Sequence, residues 1–216
     1  MTKKKKLSSS DLIDFYMAYV LEHNEPPKSV YNFAKDNGFD EIEFYQYFAS
    51  FEALEQSVFK AFFDNTHAIL EKNEDYIMFD AKNKLLSFYF TFFENLTANR
   101  SYVVYALKDN LKGLKKLRAL SQLKQRFTAY IKHLDIKTLD LKQEKLMKVQ
   151  NRALEESAWL QLLVTIKFWL DDSSPSFEKT DIFIEKSLNT SFDLLDTKPL
   201  HSIMDLGKFL FKEKMH

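Results

Sequence analysis

Glycine and proline are nearly absent from this chain, at three and four in 216 residues. Ordinary usage would bring the two together to about 12% of a sequence, so most of the turns that hairpin-rich β folds require are missing. The glycines, Gly38, Gly113 and Gly207, also stand alone, which excludes the clustered-glycine loops that cradle phosphates in Rossmann and P-loop proteins. A set of helices joined by short connections can be built from such a chain. With 45% hydrophobic and 29% charged residues it is globular rather than disordered, and it is long enough to bury a core. It has no cysteine, so disulfides, thiol nucleophiles and Cys-type zinc sites are ruled out. The expected class is all-α.

The opening stretch MTKKKKLSSSDLID is basic but has no apolar segment behind it, unlike a signal peptide. The most apolar run, Ala158–Leu170, has 13 residues with Lys167 inside it, short of the roughly 20 that a spanning helix needs. A cytoplasmic protein is expected.

Helical periodicity and capping residues place the elements. Ser10 caps a first helix over Asp11–His23, and Ser29 a short one over Val30–Asn37. Gly38 makes a tight turn, Asp40 caps Glu41–Phe48, and Ser50 opens a long fourth helix with Phe51, Leu54, Val58 and Phe62 facing inward. Further helices are expected over Asp80–Thr97, 100–109, 112–134, Gln143–Leu170, Ser176–Leu195 and Pro199–Lys212. Residues 88–93, FYFTFF, hold five aromatics in six positions, so that helix lies inside a bundle or lines a pocket.

Three short helices leading into a long one, with a tight glycine turn between the middle pair, is helix-turn-helix (HTH) anatomy. The stretch PKSVYNFAKDNGFDEIEFYQYFASFEALEQSVFKAFF resembles the N-terminal domain of the tetracycline-repressor (TetR) family. The resemblance rests on the spacing of Ala34 and Gly38, the Phe44-Tyr45 pair, Phe48, Ser50, Glu52 and Leu54. It implies a homodimer that binds operator DNA through Glu41–Phe48 and takes a small molecule in a larger C-terminal domain. Its domains would be a disordered basic tail over 1–8, an HTH domain over 9–50, and a ligand-binding and dimerisation domain over 51–216. It also implies DNA contacts from Lys28, Ser29, Glu43, Tyr45, Gln46 and Tyr47, with Tyr45 on a phosphate. Four positions depart from the pattern: Glu43 replaces a favoured Thr, Gln46 a commonly basic residue, Tyr47 a frequent His, and Phe51 a frequent Lys.

Charge is distributed unevenly. Asn24–Asp64 holds eight acids and three lysines, a balance of −5, where phosphate neutralisation would call for Lys and Arg. Residues 108–152 hold 13 Lys or Arg against four acids, a balance of +9. The amphipathic part, 112–134, carries Leu114, Leu117, Leu120, Leu123, Phe127 and Ile131 on one side. It reads as a bundle helix with a solvated lysine face, or as one that meets an anionic membrane or an acidic partner. Lys3–Lys6 reads as a solvated tail or as a DNA-gripping arm.

The stretch LDDSSPSFEKTDIFIEKSL, Leu170–Leu188, is similar to the end of the ubiquinone-biosynthesis lipid-binding relatives of the TetR fold. The similarity rests on Asp171, Ser173, Phe177, Glu178, Thr180, Phe183 and Ile184, while Asp181 stands where those relatives have Trp. It implies the alternative to a transcriptional regulator: a lipid- or isoprenoid-binding accessory protein whose HTH is vestigial.

Within the TetR-like architecture, Phe88, Phe92, Tyr102, Tyr105, Phe127, Trp159 and Phe168 are the candidate lining of an apolar pocket, each also a candidate for plain core packing. Trp159, Leu163, Ile166 and Phe183 are the candidate dimer surface. The five histidines form no cluster. His67 with Glu71 supplies two ligands where a metal site needs more, and Glu213-x-x-His216 occurs once where a di-iron bundle needs two inward copies. No cofactor, metal or catalytic residue is expected, and no enzymatic activity.

Overall fold

The computed structural model describes residues 6–107, 118–136 and 144–195. The expected helix over Pro199–Lys212, the first part of 112–134, Lys3–Lys5, Gly113 and Gly207 lie outside these residues. Ten α-helices and no strand are found among the described residues: α1 Ser9–His23, α2 Val30–Asp36, α3 Glu41–Tyr45, α4 Phe51–Glu71, α5 Glu74–Met78, α6 Ala81–Ala98, α7 Arg100–Leu107, α8 Ser121–His133, α9 Glu144–Asp171 and α10 Glu178–Leu195. The fold is all-α, as the scarcity of turn residues predicts.

The chain forms two compact units, one of residues 1–69 and 92–127, the other of 70–91 and 128–216. In the first unit, packing centres on Phe33 of α2, which is fully buried. Its ring meets Tyr16, Tyr19, Phe39, Phe44 and Phe51 edge-on, with centroids 5.5–6.4 Å away. These partners come from α1, the turn after α2, α3 and the start of α4, so one side chain joins all four helices. Edge-to-face pairs add about 0.5–1.5 kcal/mol each to the burial of apolar area.

Capping decides where these helices begin. Ser8, rather than Ser10, starts α1: the Asp11 N–H donates to Ser8 Oγ at 3.1 Å, and the Ser8 N–H donates to the Asp11 carboxylate at 2.9 Å. This reciprocal capping box satisfies two otherwise unpaired amides, and Ser10 offers no equivalent. Ser29, Ser50 and Asp80 cap α2, α4 and α6 through bonds to Asn32, Ala53 and Asn83. Asn73 opens α5 by accepting from the Asp75 N–H, an element that the apolar periodicity does not signal.

In the second unit, α9 and α10 are joined by a clasp centred on Asp172. This buried carboxylate accepts from the Ser174 N–H and Oγ at 2.8 and 2.7 Å, and from the Thr180 N–H and Oγ1 at 2.9 and 2.7 Å. Burial by itself raises the pKa of a carboxyl, but the bonds from Ser174 and Thr180 outweigh it and bring Asp172 down to about 2. The residues of LDDSSPSFEKT thus have a structural task, turning the chain from one helix into the next. Trp169 against Phe177, with centroids 5.9 Å apart, covers the same turn.

Two predictions follow from this packing. Phe33→Ala should cost about 3–5 kcal/mol, the usual toll for a core phenylalanine, read as a lower midpoint in denaturant-induced loss of helix signal. Asp172→Asn should destabilise by about 1–3 kcal/mol at neutral pH. A carboxylate held below its unfolded pKa stabilises only while ionised, so the gap between wild type and variant should narrow as pH falls from about 4 towards 2. A gap that stays constant over that range would show that the bonds to ionised Asp172 are not what stabilises the turn.

Candidate nucleic-acid and ligand sites

The first unit contains α2 and α3, the pair of short helices expected to form the helix-turn-helix. Asn37 and Gly38 close α2, with the Phe39 N–H reaching back to the Ala34 carbonyl at 3.1 Å. Gly38 has φ +70° and nothing within 4 Å of where a Cβ would stand. Its requirement is therefore conformational, a left-handed turn residue that a side chain would strain. α3 is shorter than the expected Glu41–Phe48. It ends at Tyr45 because the Gln46 and Tyr47 amides bond three residues back, to Glu43 and Phe44, tightening the chain so that Phe48 is buried.

Of the residues expected to meet DNA, Lys28, Ser29, Tyr45, Gln46 and Tyr47 are exposed and Glu43 is half-buried. The Glu43 carboxylate accepts from the Asp40 N–H at 3.0 Å, so its acidity serves the start of α3. The Tyr45 hydroxyl points to the Glu41 carboxylate at 3.4 Å, a long contact that a better acceptor would replace. Partial desolvation and the Glu41 charge raise the Tyr45 pKa, so the phenol stays a donor. The Tyr47 hydroxyl donates its proton at 2.7 Å to the carbonyl of Leu7, a link invisible from local sequence because 40 residues separate the partners.

The acidity of this segment is partly compensated within the fold. Glu52 pairs with Arg118 at 3.4 Å, and Asp64 with Lys60 and with Arg126 at 3.3 Å. Glu55 accepts from the buried Tyr16 hydroxyl, whose pKa is raised by burial and then by that bond. Counting Glu41, Glu43, Glu52, Glu55 and Asp64, five of the eight acids between Asn24 and Asp64 have a hydrogen-bonding or ionic partner. Arg118 and Arg126 come from the +9 segment, so its described part carries charge that α4 neutralises. Leu120, Leu123, Phe127 and Ile131 are buried, as the amphipathic pattern predicts.

The candidate pocket residues fall in both units. Phe92, Tyr102 and Phe127 are buried in the first, with Tyr105 half-buried and its ring 6.4 Å from Tyr102. Phe88 and Trp159 are buried in the second. Phe88 lies 5.0 Å from the ring of Tyr130, whose hydroxyl bonds to that of Tyr76 at 2.8 Å. Phe168 is exposed and stacks on Phe183 at 4.5 Å, and both line a cavity of about 320 Å³ with Val164, Lys167 and Lys179. A second cavity of about 560 Å³, in the first unit, is lined by polar and apolar side chains alike, with Asp14, Lys60, Asn95, Asn99 and Gln122 beside Ile13, Val58 and Phe62. Sequence reasoning missed it because these residues come from separated helices and share no motif.

Among the candidate interface residues, Trp159 and Ile166 are buried within the protomer, and Leu163 and Phe183 are half-buried. Leu160, Val164 and Phe168 form an exposed apolar row on α9, and Ile182 is exposed on α10. The first three recur every fourth residue and so share one helix face. No helix of the described residues is long and apolar enough to cross a membrane, and no group of three or more His, Asp or Glu among them is placed to hold a metal.

A comparison with curated proteins finds no match. Residues 84–210, more than half of the chain, match the family described as tetracyclin repressor-like, C-terminal domain. That match takes in most of α6 and all of α7–α10, and with the all-helical fold it means that the chain belongs to the tetracycline-repressor-like family.

Proposed function

We propose that this protein is a transcriptional regulator of the TetR type, a homodimer that binds operator DNA through α2 and α3 and responds to a small molecule held by its C-terminal domain. The observation that carries this reading is the DNA-facing chemistry of a complete helix-turn-helix. Ser29, Tyr45 and Gln46 are exposed, and the Glu43 carboxylate is engaged with the Asp40 N–H at the start of α3. In this arrangement Lys28 and Tyr45 hold the backbone and Gln46 meets base edges, the division of labour by which HTH proteins position and read. Dimerisation uses the Leu160, Val164 and Phe168 row with Ile182, an apolar strip that is self-complementary across a two-fold axis. Catalysis has no part in this function.

Selection of duplexes from a random pool should enrich a two-fold symmetric sequence, and Gln46→Ala should relax the preference at one position of each half-site by about 1–3 kcal/mol. If no sequence is enriched and native mass spectrometry finds retained lipid, the vestigial-HTH alternative replaces this reading. Leu160→Glu should convert the dimer to a folded monomer in sedimentation velocity, because it buries a charge in an apolar row when two copies meet. A dimer that persists would place the interface elsewhere.

A further inference from the structure

The cavity of about 560 Å³ in the first unit is lined by none of the seven aromatic pocket candidates. Its volume lies within the roughly 300–1,000 Å³ of small-molecule sites. Helices α1, α4, α6 and α8 each supply part of its wall, and Phe48 and Asn99 add to it from the segments after α3 and α6.

The hydrogen bonds along one wall decide which groups are left for a ligand. Asn95 Nδ2 donates to the Phe62 carbonyl at 3.1 Å, and Asn99 Nδ2 to the Asn95 carbonyl at 2.9 Å. A carbonyl only accepts, so each amide must turn its nitrogen to the backbone and keep its oxygen for another donor. Asn95 Oδ1 takes a longer bond from Asn99 Nδ2, at 3.4 Å. Asn99 Oδ1 has no partner among the described residues.

The charges of the lining point the same way. Of its three charged residues, Lys60 and Asp64 are engaged with each other, and Asp64 also meets Arg126 at 3.3 Å. The third, Asp14, has neither a hydrogen-bonding nor an ionic partner among the described residues. The cavity therefore sets an uncompensated carboxylate and an open amide oxygen beside the apolar side chains of Ile13, Val58 and Phe62.

We propose that this cavity is a binding site for an organic cation, an ammonium group carried on an apolar body. Asp14 and the Asn99 amide oxygen take the ammonium, and Ile13, Val58 and Phe62 take the body. Bonds from a cationic N–H to a carboxylate are about twice as strong as neutral ones, whereas an anion of the same shape would be repelled by Asp14 and would bring acceptors to acceptors. The site adds to the operator-binding reading rather than resting on it, since occupancy of the cavity requires no DNA.

The experiment titrates the full-length protein with tryptamine, tryptophol and indole-3-propionate by isothermal titration calorimetry at neutral pH and low ionic strength. The probes share an indole body and carry an ammonium, a hydroxyl and a carboxylate. Tryptamine should bind about tenfold more tightly than tryptophol, the scale of one exposed charge-assisted bond, and indole-3-propionate more weakly than either. Asp14→Asn should weaken tryptamine about tenfold and leave tryptophol within about twofold. Asp36→Asn makes the same change of charge on an exposed acid of α2 outside the cavity, and should leave tryptamine binding unchanged. Ala61→Leu enlarges a lining side chain and should weaken tryptamine and tryptophol alike while the helix signal stays that of wild type.

No binding of tryptamine at millimolar concentration overturns the site. Tryptamine that binds no better than tryptophol, or that is unaffected by Asp14→Asn, overturns the assignment to a cation. A loss in Asp36→Asn as large as that in Asp14→Asn traces the attraction to the general charge of the surface, and overturns the site as well. None of these readouts involves DNA, so failure here leaves the operator reading standing.

Discussion

The edge-on packing of Phe33 is the contact on which the N-terminal helices depend. α2 and α3 are too short, at seven and five residues, to be stable helices alone, since nucleation costs more than so few backbone bonds return. Their order comes from rings that α1 and α4 bring to Phe33 and Phe44. A helix of little more than one turn is thereby held in place, and Tyr45 and Gln46 are exposed while Phe44, packed on Phe33 of α2 and Phe51 of α4, is fully buried. The abundance of phenylalanine in the composition has its physical use here: large rings let a very small module bury enough area to fold.

α4 links this module to the rest of the first unit. Its Glu55 receives the Tyr16 hydroxyl from α1 and lies near enough to Tyr102 and Tyr105 of α7 for its charge to raise their pKa values, after burial has done so. Its Glu52 and Asp64 receive Arg118 and Arg126. Pairs as exposed as Arg118–Glu52 add about 0–1 kcal/mol to stability, so their larger consequence is electrostatic: they cancel acidic charge on α4. The two opposed segments of the sequence, −5 and +9, are therefore partly one neutralised surface. Net charge counted along the chain overstated the repulsion that DNA would meet.

Elements specified by neighbouring residues were legible in the sequence. The turn at Gly38, the caps at Ser29 and Asp40, and the long α4 follow from local chemistry, and the family resemblance followed from them. The extent of α3 was not legible, because the amide bonds to Glu43 and Phe44 that tighten it depend on where Phe48 is buried. The orientation of α9 was also hidden. In AWLQLLVTIKFWL nearly every position is apolar, so periodicity could not separate Trp159 and Ile166, which face the protomer's own core, from Leu160 and Val164, which face outward. A uniformly apolar helix has no distinguishing stripe, and its facing is set by partners on other helices. The Tyr47–Leu7 and Arg118–Glu52 contacts, 40 and 66 residues apart, were illegible for the same reason.

Three of the four departures from the family's pattern, at Glu43, Phe51 and Tyr47, become coherent when each side chain is given its partner. Glu43, in place of a favoured threonine, can reach the Asp40 amide and complete a cap that a shorter hydroxyl side chain could not close in the same way. Phe51, in place of a lysine, brings no cation but inserts a ring 5.3 Å from Phe44 and 5.5 Å from Phe33. Tyr47, in place of a histidine, has the length to reach the Leu7 carbonyl. Each exchange strengthens the module's internal structure and removes charge or donors from its surface. A module built this way gains internal contacts at the cost of the cations that phosphate binding would call for.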